Sequence, residues 1–395
     1  MRRALHHARG FTLLEVMIAS VIGVIVLGIG LVAGMQMQRR AIFEEQTMLA
    51  QVTGRAVKEL LAADVSRTGL GMGNTPIRYS ETDLRSAIQV WNALDMRTEV
   101  PGFFAADPTF QFPTGRYSGM RSDVLQLHWG DSRNMTPMVP CNLGTGPVRN
   151  GNSFCMRGLP PAHLQPPSGQ SVPALVVNPL WDVACHIQVD TVETPPGPNV
   201  GKIGATVAPN SGPATKEACS DSTDKKWEET GWFIMQPQGA AYRVNWVNNI
   251  PTLEYLAPGA PNWVVVSRDV ERMTIRQGVM NMKDTLQDLR WYPNTTPARP
   301  DLSNCTTNNT ECNLDDGTVS PSPNTHEGLR RMLQQRVRAL EVTLVVRTRR
   351  LDQTLVQPIT DEEGFPLDGF KRRTYSFRVA PRNYGSVGIQ PEEAE

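Results

Sequence analysis

The distribution of apolar residues is dominated by one long segment near the start of the chain. Residues 11–37 are almost all apolar, and the polar exceptions are Thr12, Glu15, Ser20 and Gln36. At about 1.5 Å per residue, a helix over this segment is roughly 40 Å long, which is enough to cross the hydrocarbon core of a bilayer. The pattern therefore predicts a transmembrane helix, in which Glu15 is a carboxylate that needs a partner.

The helical pattern continues beyond the membrane segment and becomes amphipathic. Two apolar lines run side by side at near-helical spacing, the first through Ile42, Leu49, Val52, Ala56, Leu60 and Ala63, the second through Val57, Leu61 and Val65. The first proline is Pro76, and glycines at positions 69, 71 and 73 provide a helix stop. We expect one helix from residue 11 to about residue 68, with its outer half packed against a sheet.

The remainder of the chain has the pattern of an antiparallel β domain. Alternating apolar and polar residues predict strands at 123–129, 240–247, 252–256, 263–267, 270–276, 340–346 and 373–380. The segment 248–251 predicts a hairpin, and 326–335 a short helix. Residues 75–119 contain several large aromatic residues but no clear period. The fold class predicted is α+β.

A short basic leader precedes the apolar segment. Arg2, Arg3 and Arg9 in this leader should keep the N-terminus in the cytoplasm. A secretory signal would be cleaved after the apolar run at small residues, and Ala33-Gly34 is a poor site of that kind. On these properties alone, an uncleaved signal anchor remains open.

The residues at the junction of leader and apolar segment carry a more specific signal. Gly10-Phe11-Thr12-Leu13-Leu14-Glu15 resembles the class III signal of type IV prepilins. The resemblance implies that prepilin peptidase cuts between Gly10 and Phe11 and methylates the amine of Phe11. It also implies that Glu15 pairs with the N-terminal ammonium of a neighbouring subunit, so that neither charge is alone in an apolar medium.

The later strands extend this resemblance. Residues 270–276, 337–347 and 375–383 are similar, in their order along the chain, to PilW-type minor pilins and to the J-type pseudopilins of general secretion. The implied fold is type IV pilin-like, with a long helix packed on an antiparallel head whose loops are stapled by disulfides. The expected divisions are a cleaved leader 1–10, a membrane and assembly segment 11–37, an amphipathic segment 38–70, a connector 71–120 and a head 121–395, with an expanded region at about 120–235.

Small residues in the membrane segment predict close contact with other helices. Gly30 and Gly34 form a G-x-x-x-G pair, and Ala19 and Gly23 form a weaker pair of the same spacing. Glycine is also simply common in membrane helices, which is the alternative explanation. Major pilins often carry a proline midway along this segment, and its absence here puts local helix melting on filament entry in doubt.

Composition supports an exported protein without a dominant charge. Lys+Arg and Asp+Glu are equal at 39 each, which gives no global attraction to nucleic acid. The even number of cysteines, six, fits a compartment in which disulfides persist. Among the fifteen connectivities possible for six cysteines, we favour nearest-neighbour pairing, since each pair then closes a loop rich in Pro, Gly or Asn; the pairs are Cys141 with Cys155, Cys185 with Cys219, and Cys305 with Cys312.

Catalytic and ligand motifs give little support to an enzyme. The sequence has no nucleophile elbow, zinc-protease motif or phosphate-binding loop, its histidines are scattered, and we expect no cofactor and no metal. Two acidic groups, at 315–316 and 361–368, could bind calcium but have the composition of solvated loops. A basic set could grip DNA, but acidic residues are interleaved with it, so DNA binding is not expected; the set is Arg347, Arg349, Arg350, Lys371, Arg372 and Arg373.

The sequence-level hypothesis is a structural protein. The resemblance implies a minor pilin that is held in the inner membrane with its head in the periplasm before assembly. It implies partners among other minor pilins and the major pilin, and a final place in an extracellular pilus, at or near the tip, with a role in priming assembly. The alternatives are a type II secretion pseudopilin and, from another class, a signal-anchored extracytoplasmic enzyme.

Overall fold

A computed structural model gives the positions of most of the chain. The structure describes residues 12–79, 83–98, 106–142, 145–197, 200–207, 219, 221–280, 289–313, 323, 325–349, 356–361 and 363–384. Helix α1 is Leu13–Arg67 and helix α2 is His326–Gln335. The predicted single long helix and the predicted short helix are both confirmed.

The strands follow α1 and are mostly antiparallel. They are β1 Ile77–Arg78, β2 Leu84–Arg85, β3 Ile88–Trp91, β4 Val124–Gly130, β5 Thr136–Pro137, β6 Arg149–Asn150, β7 Ser153–Arg157, β8 Val172–Asn178, β9 Val183–Gly197, β10 Val200–Val207, β11 Phe233–Met235, β12 Pro237–Val247, β13 Ile250–Leu256, β14 Val264–Ser267, β15 Val270–Met280, β16 Leu289–Tyr292, β17 Asn294–Thr295, β18 Ala298–Arg299, β19 Val337–Arg347, β20 Val356–Thr360, β21 Pro366–Asp368 and β22 Arg372–Val379. A long apolar helix followed by antiparallel sheets and disulfides is an α+β architecture.

A four-stranded sheet has the order β16-β15-β19-β22. The outer half of α1 packs on β19 and β22 of this sheet. The helix residues that are buried against the head include Val57, Leu61 and Val65. The first predicted apolar line does not face the sheet: Val52 is 63% exposed and Leu60 is 37% exposed. Of the two predicted apolar lines, the second makes the contact with the head and the first does not.

The helix approaches this sheet closely at one glycine. A Cβ atom at Gly54 would lie 2.5 Å from Cε2 of the Tyr375 ring on β22, well inside van der Waals contact. Only a residue without a side chain allows this approach. The face that carries Gly54, Val57 and Leu61 is thereby the one turned toward the sheet, and the line through Val52 and Leu60 faces away from it.

We expect the substitution Gly54→Leu to lower the free energy of unfolding of the head by about 1–3 kcal/mol, because the new side chain overpacks against Tyr375. The measurement is thermal unfolding of the full chain in lipid nanodiscs. Ala56→Leu is the matched control, since Ala56 lies two residues further along on the exposed face. Equal melting temperatures for the two variants would contradict the assigned helix face.

A five-stranded sheet has the order β14-β13-β12-β4-β3. One of its faces packs on the same hydrophobic core as α1 and the four-stranded sheet. Strands β12 and β13 form the predicted hairpin, with a loop shorter than expected. Asn248 and Asn249 have φ values of 53° and 61°, as a two-residue type I′ turn requires. Ile250 and Pro251 belong to β13, where Ile250 pairs with Val247 and Pro251 with Trp246.

Residues 120–235, which the sequence predicts to be an expanded region, contribute most of a third sheet. Strand β4 joins the five-stranded sheet, and the later strands of residues 120–235 form a nine-stranded sheet together with β1 and β2. This sheet has a separate hydrophobic core, in which the Trp227 and Trp232 rings stack with centroids 4.1 Å apart. We call the part formed by β5–β11 the lobe.

Three disulfides close loops in the head. They join Cys141 to Cys155, Cys185 to Cys219, and Cys305 to Cys312, and no described cysteine is free. These are the nearest-neighbour pairs that loop composition favours. Two of them lie in the lobe, which suits a sheet whose connections are long and poor in apolar residues.

A cluster of rings joins the lobe to the rest of the head. Tyr79, beside β1, stacks on His186 of β9 with centroids 4.4 Å apart, and its other near neighbour is His128 of β4 at 6.2 Å. The guanidinium of Arg85 lies 3.7 Å from the Tyr79 centroid. Burial, with the Arg85 charge nearby, lowers the pKa of His128 to about 3 and that of His186 to about 4. Both histidines are therefore neutral in the folded protein at physiological pH.

This neutrality makes stability depend on pH. The unfolded chain takes up protons on its histidines near pH 6.5, whereas the folded chain does not until the pH is much lower, so stability is lost as the pH falls from 6.5 toward 4. Between pH 6.5 and 4.5 we expect His128 to contribute a loss of up to about 3 kcal/mol. Asp123 acts in the opposite direction, because burial raises its pKa to about 6.

The contribution of His128 can be isolated by comparing melting temperatures of wild type and His128→Gln from pH 7 to pH 4.5. The Asp123 effect is common to both proteins and cancels in the comparison. We expect the variant to lose less stability on acidification than the wild type. Parallel curves would show that His128 is not a buried neutral base.

Candidate assembly site

The first half of α1 projects from the head without a partner among the described residues. Residues 12–42 are exposed apart from the half-buried Gly23, and Leu13 and Met37 are 82% and 72% exposed. The most apolar 18-residue stretch of the helix has a mean hydropathy of 2.8. The part of the chain that the structure describes contains one helix that is long and apolar enough to cross a membrane, and this helix is α1. An apolar surface of this extent is consistent with membrane anchoring.

The start of α1 is fixed by a reciprocal cap between two residues of the candidate motif. Thr12 accepts a hydrogen bond at Oγ1 from the backbone N–H of Glu15 at 3.3 Å, and its own N–H donates to the Glu15 carboxylate at 3.0 Å. This is a capping box, which satisfies two backbone donors at the helix end. The Glu15 carboxylate is consequently held beside Thr12 N.

The predicted processing residues are not part of this geometry. Gly10 and Phe11 lie outside the described residues, so cleavage between them and methylation of Phe11 stay predictions. The same holds for an ion pair between Glu15 and another subunit. Within the described residues, the partners of the Glu15 carboxylate are the N–H and hydroxyl of Thr12.

The small residues of the membrane segment face open space. A Cβ atom added at Gly23, Gly30 or Gly34 would meet nothing within 4 Å, and Ala19 is exposed. Their role in close helix packing therefore stays a prediction, because the helix that would use them is not in the described chain. The geometry leaves each of these positions accessible to another helix.

Contacts with the head begin at Phe43 and continue to the end of α1. The ammonium of Lys371 lies 3.9 Å from the Phe43 ring centroid, and Thr53 Oγ1 donates to Asp269 at 3.4 Å. Deeper in the head, the Tyr242 hydroxyl donates to the buried Asp64 carboxylate at 2.5 Å. Burial and this hydrogen bond raise the pKa of Tyr242 well above its usual range. The outer half of the helix is thus part of the head.

The predicted glycine stop is confirmed at the end of the helix. Gly69 has a φ of 76°, and a Cβ there would lie 2.4 Å from the carbonyl oxygen of Gly73. The Asn383 amide, from the segment after β22, donates to the last helical carbonyls at 3.4 Å. The chain end described by the structure therefore secures the C-terminus of α1.

Two members of the basic set considered for DNA are engaged inside the head. Arg347 and Arg372 are directed at the fully buried carboxylate of Glu271, and Arg349 pairs with Asp269 at 3.1 Å. Lys371 and Arg373 are exposed, and Arg350 lies outside the described residues. Because the two buried guanidinium groups are committed to internal carboxylates, they do not form a surface for phosphates.

The acidic groups considered for calcium have structural partners where the structure describes them. Asp361 Oδ1 accepts from the backbone N–H of Phe365 at 2.7 Å and of Glu363 at 3.1 Å, which closes a turn. Asp368 pairs with Arg372 at 2.7 Å. The described residues contain no group of three or more His, Cys, Asp or Glu that could hold a metal ion, and residues 315–316 lie outside them.

Sequence reasoning missed residues that position the helix. Thr12 was readable as a cap, because Thr-x-x-Glu before an apolar run is the capping-box pattern. Gly54 was readable as a packing position, being a glycine within an otherwise continuous helical pattern. Asp64 with Tyr242 had no local signal, since the two residues are far apart in sequence.

The comparisons with known proteins give one positive finding. Residues 5–31 match the family model for the prokaryotic N-terminal methylation motif. No curated protein and no solved structure matches the chain. The motif match covers the leader junction, Glu15 and most of the membrane segment, and it supports a prepilin-type precursor and a structural role rather than an enzymatic one.

Proposed function

We propose that this chain is a minor pilin of the PilW type in a type IV pilus. Prepilin peptidase removes residues 1–10 and methylates Phe11, and the exposed half of α1 then joins a bundle of pilin helices. The observation that carries the proposal is a methylation motif placed on a helix whose first half is exposed and whose second half packs on a head.

The outer half of α1 supports assembly into a bundle. Val52 and Leu60 continue the apolar surface of the membrane segment along the side of the helix that faces away from the sheet. Met48 is 65% exposed on the same stretch. Burial of these side chains against neighbouring helices would stabilise the bundle beyond the membrane, at about 25 cal/mol per Å² of apolar surface.

The size of the head supports a position at or near the tip. The lobe adds a second sheet and a second hydrophobic core to the part of the head that holds the helix. Repetition of such a head along a shaft would crowd neighbouring subunits, whereas a terminal position leaves room for it. In this role the subunit would help prime assembly together with other minor pilins.

The motif is also compatible with a type II secretion pseudopilin, which is processed in the same way. Affinity purification of the full chain from detergent-solubilised membranes distinguishes the two. Copurification with pilus subunits supports the minor pilin, and copurification with secretion-system pseudopilins supports the alternative.

The central experiment is mass spectrometry of the mature N-terminus, with wild type compared with Gly10→Val. We expect the wild-type protein to begin at an N-methylated Phe11 and the variant to keep its leader, because the peptidase cuts after the glycine. An intact Met1 on the wild-type protein would identify an ordinary signal anchor and overturn the proposal.

A further inference from the structure

A half-open cavity of about 580 Å³ lies on the face of the five-stranded sheet that points away from α1. Its floor is formed by residues of β4, β12 and β13, and segments 106–109 and 257–263 form its rim. The volume is within the range of small-molecule sites, about 300–1,000 Å³. Nothing in the assembly role uses this cavity, so it requires an explanation of its own.

An unsatisfied amide in the cavity wall points to a polar ligand. Gln126 on β4 lines the cavity, is 1% exposed, and has no hydrogen-bond partner for either its Nε2 or its Oε1. Buried amide groups are nearly always hydrogen-bonded, because leaving the donor and the acceptor unpaired destabilises the fold. A ligand that offers both a donor and an acceptor would satisfy the two atoms together.

The adjacent polar groups are held rigidly by one another. Arg243 Nε donates to Glu254 at 2.8 Å and its Nη2 donates to Asp107 at 2.5 Å. Asn245 donates to Glu254 at 3.2 Å and accepts from the backbone N–H of Gln111 at 2.9 Å. Groups fixed in this way bind a ligand without losing side-chain freedom.

The charges of this network favour a neutral ligand. Arg243 is enclosed by two carboxylates, so no unpaired cation is left to attract an anion. Arg243 Nη1 meets only the weak acceptor Met96 Sδ, at 3.7 Å, so this guanidinium still has N–H donors for a stronger acceptor. Asp107 accepts from Thr109 and from Arg243 and keeps a lone pair for a ligand donor. Leu256, Pro258 and Trp263 add an apolar wall. A ligand that carries both hydroxyl groups and C–H groups would complement this combination of polar groups and an apolar wall.

We propose that this cavity binds a neutral carbohydrate, whose hydroxyl groups pair with Gln126 and with the Arg243–Glu254–Asp107 network while its C–H face contacts the apolar wall. The proposal does not rest on the proposed function, because it concerns the face of the head opposite the assembly helix.

The experiment uses the full chain in phosphatidylcholine nanodiscs, since alkyl glycoside detergents would compete for the site. Glucose, galactose, mannose and N-acetylglucosamine are added separately, and binding is followed by saturation-transfer NMR and by the melting temperature. Choline and citrate serve as a cationic and an anionic probe. We expect at least one sugar to show saturation transfer and to raise the melting temperature, with no response to either charged probe.

The decisive variant is Gln126→Leu. We expect it to weaken sugar binding about ten-fold or more. Its melting temperature without sugar should be unchanged or raised, because an apolar side chain removes the unpaired amide. Gln89→Leu is the matched control: Gln89 is the cross-strand partner of Gln126 on β3, its Oε1 also lacks a partner, and it does not line the cavity.

Three results would overturn the proposal. They are the absence of binding by all four sugars, binding of choline or citrate without any sugar, and equal sugar affinity in Gln126→Leu and Gln89→Leu. In each case the state of the N-terminus is unaffected, so failure here is distinguishable from failure of the assembly proposal.

Discussion

Replacing Glu15 with valine should abolish incorporation of this chain into filaments while leaving the head as stable as in the wild type. A carboxylate within a bilayer destabilises an inserted helix by at least about 2.5 kcal/mol on insertion scales. Valine removes that penalty, so the variant should enter the membrane more readily than the wild type. Loss of assembly despite better insertion would show that Glu15 is needed for a step after insertion.

The capping box makes Glu15→Gln the informative companion to this variant. Glutamine at the third helical position also completes a capping box, so it can keep the hydrogen bond from Thr12 N that the structure shows for Glu15. It cannot form an ion pair with an ammonium group. If Glu15 acts only as a local cap, Glu15→Gln assembles normally and Glu15→Val alone fails. If it pairs with the amine of a neighbouring Phe11, both variants fail.

The measurement is the amount of each variant in sheared filaments relative to the amount in membranes, by quantitative immunoblotting. Thermal unfolding of the head verifies that folding is unchanged. Leu14→Val, on the same exposed turn, controls for a general effect of substitution near the N-terminus. Normal incorporation of both Glu15 variants would leave the proposed identity without its physical basis.

The features predicted from sequence are those with strong local signals. The long helix follows from an almost entirely apolar segment, continued by an amphipathic pattern with no proline, and its end from the glycines at positions 69–73. The hairpin follows from two adjacent asparagines, which tolerate positive φ. In each case the residues that determine the structure are neighbours in the chain.

The buried face of α1 was harder to predict because both apolar lines have suitable spacing. The choice between them depends on Tyr375, which lies more than 300 residues after Gly54 and leaves room only for a glycine. The cavity at Gln126 was not predicted from the sequence for a similar reason. Its floor comes from β4, β12 and β13, and the alternation that predicted these strands does not reveal which face carries a hydrogen-bond network.

The expanded region illustrates the same limit on a larger scale. Its strands are paired out of sequence order, with β11 beside β8 and β10 beside β7. The parallel pairing of β1 with β9 joins residues about 100 positions apart. Periodicity identifies strands but not their neighbours, so the separate core around Trp227 and Trp232 was not predicted.

Glu271→Gln should give the largest loss of head stability, about 3–5 kcal/mol, because it leaves the buried guanidinium group of Arg347 without its counter-charge and that of Arg372 with Asp368 alone. Glu271 is fully buried on β15, and its carboxylate accepts from Arg372 at 2.6 Å and from Arg347 at 3.3 Å. Arg372 also pairs with Asp368. Burial alone would raise the pKa of Asp368, but the hydrogen bonds from Arg372 keep this pKa below its usual value. The measurement is the free energy of unfolding by chemical denaturation.

Glu341→Gln provides an unusually close control in the same sheet. The Glu341 carboxylate is likewise held by two arginines, Arg276 at 2.9 Å and Arg378 at 2.7 Å, but these side chains are 36% and 66% exposed. Water can solvate both arginines after the substitution, so the expected loss is about 1 kcal/mol or less. The ion pairs of Glu271 and Asp368 with Arg372 also fix the strand ends that meet α1 near Phe43. Glu271→Gln should therefore speed amide hydrogen exchange in residues 366–373, whereas Glu341→Gln should not. An equal loss of stability in the two variants would show that burial does not distinguish these ion pairs.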